Sequence, residues 1–201
     1  MDQGQNQQSQ LDPRRTDISG RMLKKLFGKK SPVPEKLWSK PEEFDETWKR
    51  RISVMASHIK IPGRVADFGC GMMWLEGILP TANSYVPIDY IRRDDRTIVL
   101  DLNRDPLPAF NAEVAFLSGV LEYVNDVEAF ARSLSSAGFR QIIFSYCTLE
   151  HFGDLRKRAE LNWVSHKSIF ELLHIFLKDF SLTALDDVNR NTIFVFERRI
   201  P

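Results

Sequence analysis

Three carboxylates and two glycines stand where a chain can hold a small molecule. Asp67 lies just before the turn Gly69-Cys70-Gly71, Asp89 closes the next apolar run, and Asp101 closes the one after it. Glycines in a tight turn admit close backbone approach, because no Cβ is in the way. A strand that ends in such a turn and enters an apolar helical segment leaves backbone N–H groups pointing outward. A carboxylate ending the following strand can accept from both hydroxyls of a ribose, one on each oxygen. Asp101 has the reach for an exocyclic amine. Each carboxylate alone is ordinary at a strand end. The ordered set is the signal, since open α/β sheets bind ligands along the carboxyl ends of their strands.

The elements that must position these groups alternate in type. Short apolar runs predict strands over 65–68, 84–88, 97–100, 114–117, 141–146, 181–185 and 192–197. Pro87 supplies no N–H and is therefore expected at a strand end. A helix is predicted to start near Met73 and to end by Pro80. Another, over 41–59, opens on Ser39 and Pro41 and carries Phe44, Trp48, Ile52 and Met55 on one face. Asn125 and Glu128 form a capping-box-like pair before Val127, Phe130, Ala131 and Leu134, and Gly138 stops that helix. Ser165 caps the last helix, whose face is Ile169, Leu172, Leu173 and Phe176. The polar turn over 186–191 signals an antiparallel hairpin. The expected architecture is α/β: a Rossmann-like three-layer sandwich on a mostly parallel seven-stranded sheet with an antiparallel last strand. Residues 147–164 lack a period and are expected to form a lid or a short helix, with Arg156, Lys157 and Arg158 as a solvated positive cluster. Arg92 and Arg93 are expected to pair locally with Asp94 and Asp95.

Charge divides the chain of 201 residues. Residues 1–40 hold nine Lys/Arg against four Asp/Glu, so a net charge of +1 leaves the remainder mildly acidic. The first forty residues read as a disordered basic tail, and 41–201 as one domain. Within the tail, residues 22–30 form a short basic amphipathic patch suited to a weak contact with an anionic surface or a protein. An acidic folded part argues against a nucleic-acid partner. No apolar run is long enough to span a bilayer. Cys70 and Cys147 make neither a disulfide framework nor a metal site and are expected to be buried and reduced, in a cytoplasmic protein.

Four motifs carry a resemblance. Val65-Ala66-Asp67-Phe68-Gly69-Cys70-Gly71 resembles the first motif of the class I S-adenosylmethionine-dependent methyltransferases, and Tyr85-Val86-Pro87-Ile88-Asp89 resembles their second-strand acidic motif. Asp101-Leu102-Asn103 with Pro106-Leu107-Pro108 resembles the adenine-side segment. The run Ala115–Val124 resembles the strand-four motif of the small-molecule branch, and the similarity spans about residues 44–198. The resemblance implies S-adenosylmethionine as cofactor, with Asp67, Gly69, Cys70, Gly71, Asp89, Tyr90, Asp101, Leu102 and Ser118 around it. Gly69 and Gly71 would pass beside the methionyl part and ribose. Asp67 would order that loop, Asp89 would hold the ribose, Asp101 the adenine amine, and Leu102 the adenine ring. Ser118 and Val120 would line the path to the sulfonium. Two departures stand out: Met73 replaces the family's third glycine, and Tyr123 stands where many relatives carry His. Dinucleotide oxidoreductases fit less well, since their third glycine falls on Trp74.

Methyl transfer from a sulfonium is an in-line displacement that chiefly needs alignment and exclusion of water, with no metal. A base is needed only for a poorly ionised hydroxyl or a protonated amine. Candidates for catalysis are His151, in the polar segment after the fifth strand, with Tyr123 and Glu122 after the fourth. The expected reaction is transfer to an O or N atom of a small molecule, such as a sugar or secondary metabolite. The competing class is a non-catalytic binding or scaffold protein, which Met73 favours and the three carboxylates disfavour.

Overall fold

The strands sort their side chains by the two-residue period of extended chain. In β1 (Gly63–Phe68), β2 (Asn83–Asp89), β4 (Val114–Ser118) and β5 (Gln141–Tyr146), one set packs on one face of the sheet: Ala66, Phe68, Val86, Ile88, Ala115, Leu117, Ile142 and Phe144. Val65, Val114, Phe116 and Ile143 pack on the other. With β3 (Ile98–Val99), β6 (Phe180–Val188) and β7 (Asn191–Arg198), they make one seven-stranded sheet in the order β3-β2-β1-β4-β5-β7-β6. β1 to β5 run parallel, and β7 is antiparallel to both of its neighbours. The computed structural model describes residues 38–199, so most of the expected tail and all of the 22–30 patch lie outside the described residues.

Helices cover both faces, which makes the three-layer sandwich expected from the sequence. α1 (Trp48–Ser57) brings Met55 and Ala56 to one face. α2 (Val127–Ser136) and α4 (Ile169–Phe176) bring Val127, Phe130, Leu134, Leu172 and Phe176 to the other. There Phe144 lies 4.7 Å from Phe176 and 4.8 Å from Phe194. Burial of each such ring contributes about 2–3 kcal/mol. α3 (Leu155–Glu160) is a short helix inside the segment expected to be a lid or helix. No described helix is long and apolar enough to cross a membrane.

Four expectations are corrected. The helix placed between Met73 and Pro80 is absent: only a 3-10 turn, Glu76–Ile78, forms there. Gly71 and Met73 both have positive φ, +50° and +56°, which no right-handed helix accommodates. Leu75 is instead buried as a plug, and Trp74 packs on Phe44. The helix over 41–59 is split into a 3-10 turn, Pro41–Glu43, and α1, because Phe44 turns out in extended conformation against the glycine turn. Asp45 then accepts from the Thr47 amide, and that bond holds its carboxyl below the usual range. The 186–191 turn shrinks to Asn189 and Arg190, both at positive φ, the condition for a two-residue hairpin turn. Pro87 sits inside β2, where β3 has not yet joined: β3 reaches only Ile88 and Asp89, so no N–H is missed on that open side.

Met73 therefore holds a left-handed backbone conformation that suits glycine better, and its sulfur lies 3.9 Å from Arg96. Holding an L-residue there costs roughly 1–2 kcal/mol, while glycine loses about 0.5–1 kcal/mol through the unfolded chain. Met73→Gly is expected to raise stability by up to about 1 kcal/mol in urea unfolding, and Met73→Ile to lower it, because a branched Cβ tolerates positive φ least.

Candidate functional site

The carboxyl ends of β1, β2, β4 and β5 gather most of the residues singled out from the sequence. The turn after β1 is pinned by three bonds: the Cys70 amide to the Ile88 carbonyl (3.0 Å), the Gly71 amide to Asp89 Oδ2 (3.0 Å), and the Met73 amide to the Cys70 carbonyl (2.7 Å). Gly69 and Gly71 need to be glycines. A Cβ on Gly69 would come within 2.6 Å of Val120, and one on Gly71 within 2.5 Å of the Phe44 ring.

Asp67 is buried below this turn and accepts a 2.7 Å bond from the Tyr85 hydroxyl. Burial pushes its carboxyl up to about 7 from the ordinary 3.8; the Tyr85 bond opposes this and the charge of Asp89 adds to it. Asp89 is also buried. Its Oδ2 accepts from the Gly71 amide and from Arg93 Nε (3.0 Å), and its Oδ1 from the Ile91 amide (3.1 Å). Arg93 thus pairs with Asp89 and not with Asp94 or Asp95, while Asp94 is taken by Arg96. The next residue, Tyr90, buries its hydroxyl with no hydrogen-bond partner among the described residues. Burial, and then the charge of Asp89, push that phenol up to about 12. Asp101 is half-buried, accepts from the Asn103 amide (2.9 Å), and lies 3.4 Å from Arg104 Nε. Leu102 packs against the core beneath.

Around the end of β4, Ser118 Oγ accepts from Arg51 Nε (3.1 Å). Arg51, on α1, is buried between the Trp48 ring and Gly119, where a Cβ would stand 2.9 Å from its Nη2. Its other bonded oxygen is Asn191 Oδ1, at 3.4 Å, so among the described residues it has no carboxylate at ion-pair distance. Glu122 is buried beside it. Oε1 accepts from the Cys147 amide (2.8 Å) and Oε2 has no hydrogen-bond partner among the described residues. Burial raises this carboxyl, with Arg51 and Arg158 pulling the other way. Tyr123 is pushed up to about 12 by burial, with the charge of Glu122 acting in the same direction. It is therefore a neutral phenol near pH 7.

His151 sits at the far side of this edge, against the β6–β7 hairpin. Its Nε2 lies 2.9 Å from Asp187 Oδ1 and 3.0 Å from Thr192 Oγ1. A carboxylate only accepts, so Nε2 carries the proton and Nδ1 is left as the basic nitrogen. Thr192 also donates to Asp187 (2.8 Å). Burial alone would raise Asp187, yet the bonds from His151 and Thr192 bring it below its ordinary value.

Several residues that shape the site were not singled out from the sequence as functional. Arg51 was legible only through its position three residues after Trp48 on a helix face. Phe44 covers the turn after β1, and Trp38 and Phe44 each pack edge-on to Trp48, at 5.3 and 6.1 Å respectively. The expected solvated cluster 156–158 is corrected at Arg158, which is fully buried. Its partners are carbonyl oxygens and rings supplied by the loop around it. No group of His, Cys, Asp and Glu that could hold a metal occurs among the described residues.

No family model matches the chain, and no curated protein matches its sequence. Solved structures match its fold. A methyltransferase from Thermotoga maritima, described as a possible histamine N-methyltransferase, superposes with a TM-score of 0.59 at 11% identity, over 82% of this chain and 97% of that one. The fold is that of the S-adenosylmethionine-dependent methyltransferases. The N-methyltransferase NodS from Bradyrhizobium japonicum, solved with S-adenosyl-L-homocysteine, superposes with a TM-score of 0.56 at 9% identity, over 89% of this chain and 97% of that one. An O-methyltransferase from neocarzinostatin biosynthesis, solved with S-adenosylmethionine and a naphthoic acid, gives 0.55 at 19% identity, over 82% of this chain and 60% of that one. On this methyltransferase fold, the carboxylates and glycines described above lie at the carboxyl ends of consecutive parallel strands.

The raised carboxyl of Asp67 makes stability depend on pH. Its folded value lies above its unfolded one, so its contribution is fully present below about pH 4 and is lost as pH rises toward about 7. Asp67→Asn is expected to flatten the fall in unfolding free energy between pH 4 and 7, read by urea titration at several pH values.

Proposed function

We propose that this chain is an S-adenosylmethionine-dependent methyltransferase acting on an O or N atom of a small molecule, such as a sugar or secondary metabolite. One observation carries the reading. Among the described residues, three buried side-chain polar atoms lack a partner, Tyr90 Oη, Glu122 Oε2 and Thr148 Oγ1, and they directly or closely follow the carboxyl ends of β2, β4 and β5. A buried polar atom left unpaired costs about 1–3 kcal/mol. Three of them along one ligand-binding edge favour a bound molecule with hydrogen-bonding groups.

The residues fit the cofactor in kind. Asp101 would accept from the adenine amine, and Leu102 would lie against the ring. Tyr90 and Asp89 would meet the ribose hydroxyls. Arg51, a buried cation without a carboxylate at bonding distance among the described residues, would take the carboxylate of the methionyl part. When bound, the cofactor supplies a methyl group activated by its sulfonium charge.

The protein must then position the acceptor and take a proton where the acceptor has one to lose. His151 is suited to receive that proton. Asp187 fixes its ring through Nε2–H and leaves Nδ1 free to act as the base. Tyr123 stays protonated and serves as a hydrogen-bond donor. Glu122 holds the start of the segment after β5 through the Cys147 amide, and so positions the acceptor wall. We also infer a cytoplasmic location, which the two free cysteines support.

A second reading, a non-catalytic binding protein, is favoured by the Arg93–Asp89 pair and by Phe44 over Gly71. Titration calorimetry with S-adenosylhomocysteine separates the two. Micromolar binding that is weakened about tenfold by Asp101→Ala supports the enzyme, as one lost hydrogen bond to a ligand is worth about 1–1.5 kcal/mol. No binding by the folded wild type supports the scaffold.

Tyr90→Phe gives an independent check. Removing an unpaired buried hydroxyl is expected to stabilise the free protein by about 1 kcal/mol in thermal or urea unfolding, and to weaken S-adenosylhomocysteine binding. A change of the same sign in both would count against a ligand-facing hydroxyl. For the base, His151→Gln is expected to lower kcat by about 10²–10⁴-fold once an acceptor is found, leaving cofactor affinity unchanged.

A further inference from the structure

Asp89 offers fewer free positions than a ribose needs. A carboxylate has about two acceptor positions on each oxygen. On Oδ2 both are filled, by the Gly71 amide at 3.0 Å and by Arg93 Nε at 3.0 Å, and on Oδ1 the Ile91 amide fills one. A vicinal diol held on both oxygens must therefore displace a donor from Oδ2. The Gly71 amide is part of the pinned turn after β1. Arg93 is a side chain that can swing.

Arg93 does more than neutralise Asp89. Its Nη1 donates to the Trp38 carbonyl at 2.8 Å, and its guanidinium lies 5.3 Å from the centre of the Phe44 ring. Phe44 in turn lies on Gly71, and Trp38 packs edge-on to both Trp48 and Tyr123. One guanidinium thus ties the 38–48 segment to the carboxylate expected to read the ribose.

Resting on the cofactor reading above, we propose that Arg93 is an internal occupant of the ribose position, and that a nucleoside diol competes with it for Asp89 and so releases the Trp38–Phe44 segment from the turn after β1. The competition is direct, because donor and diol need the same oxygen. Arg93 then sets cofactor affinity without contacting the reacting atoms, and the aromatic segment changes environment whenever the cofactor binds.

The test uses the full chain and S-adenosylhomocysteine, followed by calorimetry and by tryptophan emission. Arg93→Met removes the competitor. It is expected to bind S-adenosylhomocysteine at least tenfold more tightly than wild type, and its unliganded emission is expected to match that of the saturated wild type. Arg93→Lys keeps a cation for Asp89 but cannot also hold the Trp38 carbonyl. It is expected to keep wild-type affinity while its free emission shifts, and it serves if Arg93→Met does not fold. Tighter binding by Arg93→Met when the wild type binds nothing also supports the proposal. Equal or weaker binding by a folded Arg93→Met overturns it and leaves the cofactor reading standing. Absence of binding to every variant overturns both.

Discussion

Two buried charged side chains, Glu122 and Arg158, hold the segment after β5 to the rest of this fold. Glu122 follows β4, Arg51 comes from α1 and Arg158 from α3, and neither guanidinium is paired directly with the carboxylate, whose Oε1 accepts from the Cys147 amide. Removing ions from water costs several kcal/mol each, so attraction alone does not settle such a cluster. Hydrogen bonds do. Arg158 spends its donors on the carbonyls of Cys147, Phe152 and Ser165, on His166 Nδ1 and on the Tyr146 hydroxyl, and its plane lies 4.7 Å from the Trp163 ring. The Glu122 carbonyl accepts from the amides of Val164 and Ser165. The segment between β5 and α4 is therefore wrapped around a single side chain. It has almost no apolar core of its own, and this arrangement explains how so polar a stretch keeps one shape.

That arrangement also marks the limit of sequence reading. Strand positions were legible because alternation and apolar runs are local. The final hairpin was legible from its polar turn, but not its length. Asp186 and Asp187 look like turn residues, yet they extend β6 and are used from outside the sheet by His58 and His151. Arg158, in a run of three basic residues, looks solvated, because nothing nearby in sequence announces five acceptors. The missing helix after β1 has a similar cause. Its apolar residues fit a helical period, but the backbone sign at Gly71 and Met73 and the burial of Leu75 are set by tertiary contacts with Phe44 and the sheet.

The site shows the same division. The ordered carboxylates and glycines were legible because strand ends in an open sheet place them on one edge. Their partners were not. Asp67 sits under the loop and is bonded to Tyr85, a partner 18 residues away that the sequence does not announce, while Asp89 meets an arginine four residues on that was expected to pair with its acidic neighbours. What a carboxylate can bind depends on which of its lone pairs remain, and only the folded chain decides that.

The short 3-10 turn after β1 has an electrostatic consequence. A full helix starting at a glycine turn aligns its peptide dipoles and presents about half a positive charge to whatever lies at its N-terminus. Here the three-residue turn Glu76–Ile78 begins well past Gly71 and opens on an acidic residue, so no such field points at the loop. Phosphate groups depend on that field, and this end of the sheet offers them little. The carboxylates of Asp89 and Asp101 stand at the ends of β2 and β3, each met by one arginine, so this edge holds no surplus positive charge from that pair of strands. The loop is better matched to a ligand that brings its own positive charge than to one that brings phosphates.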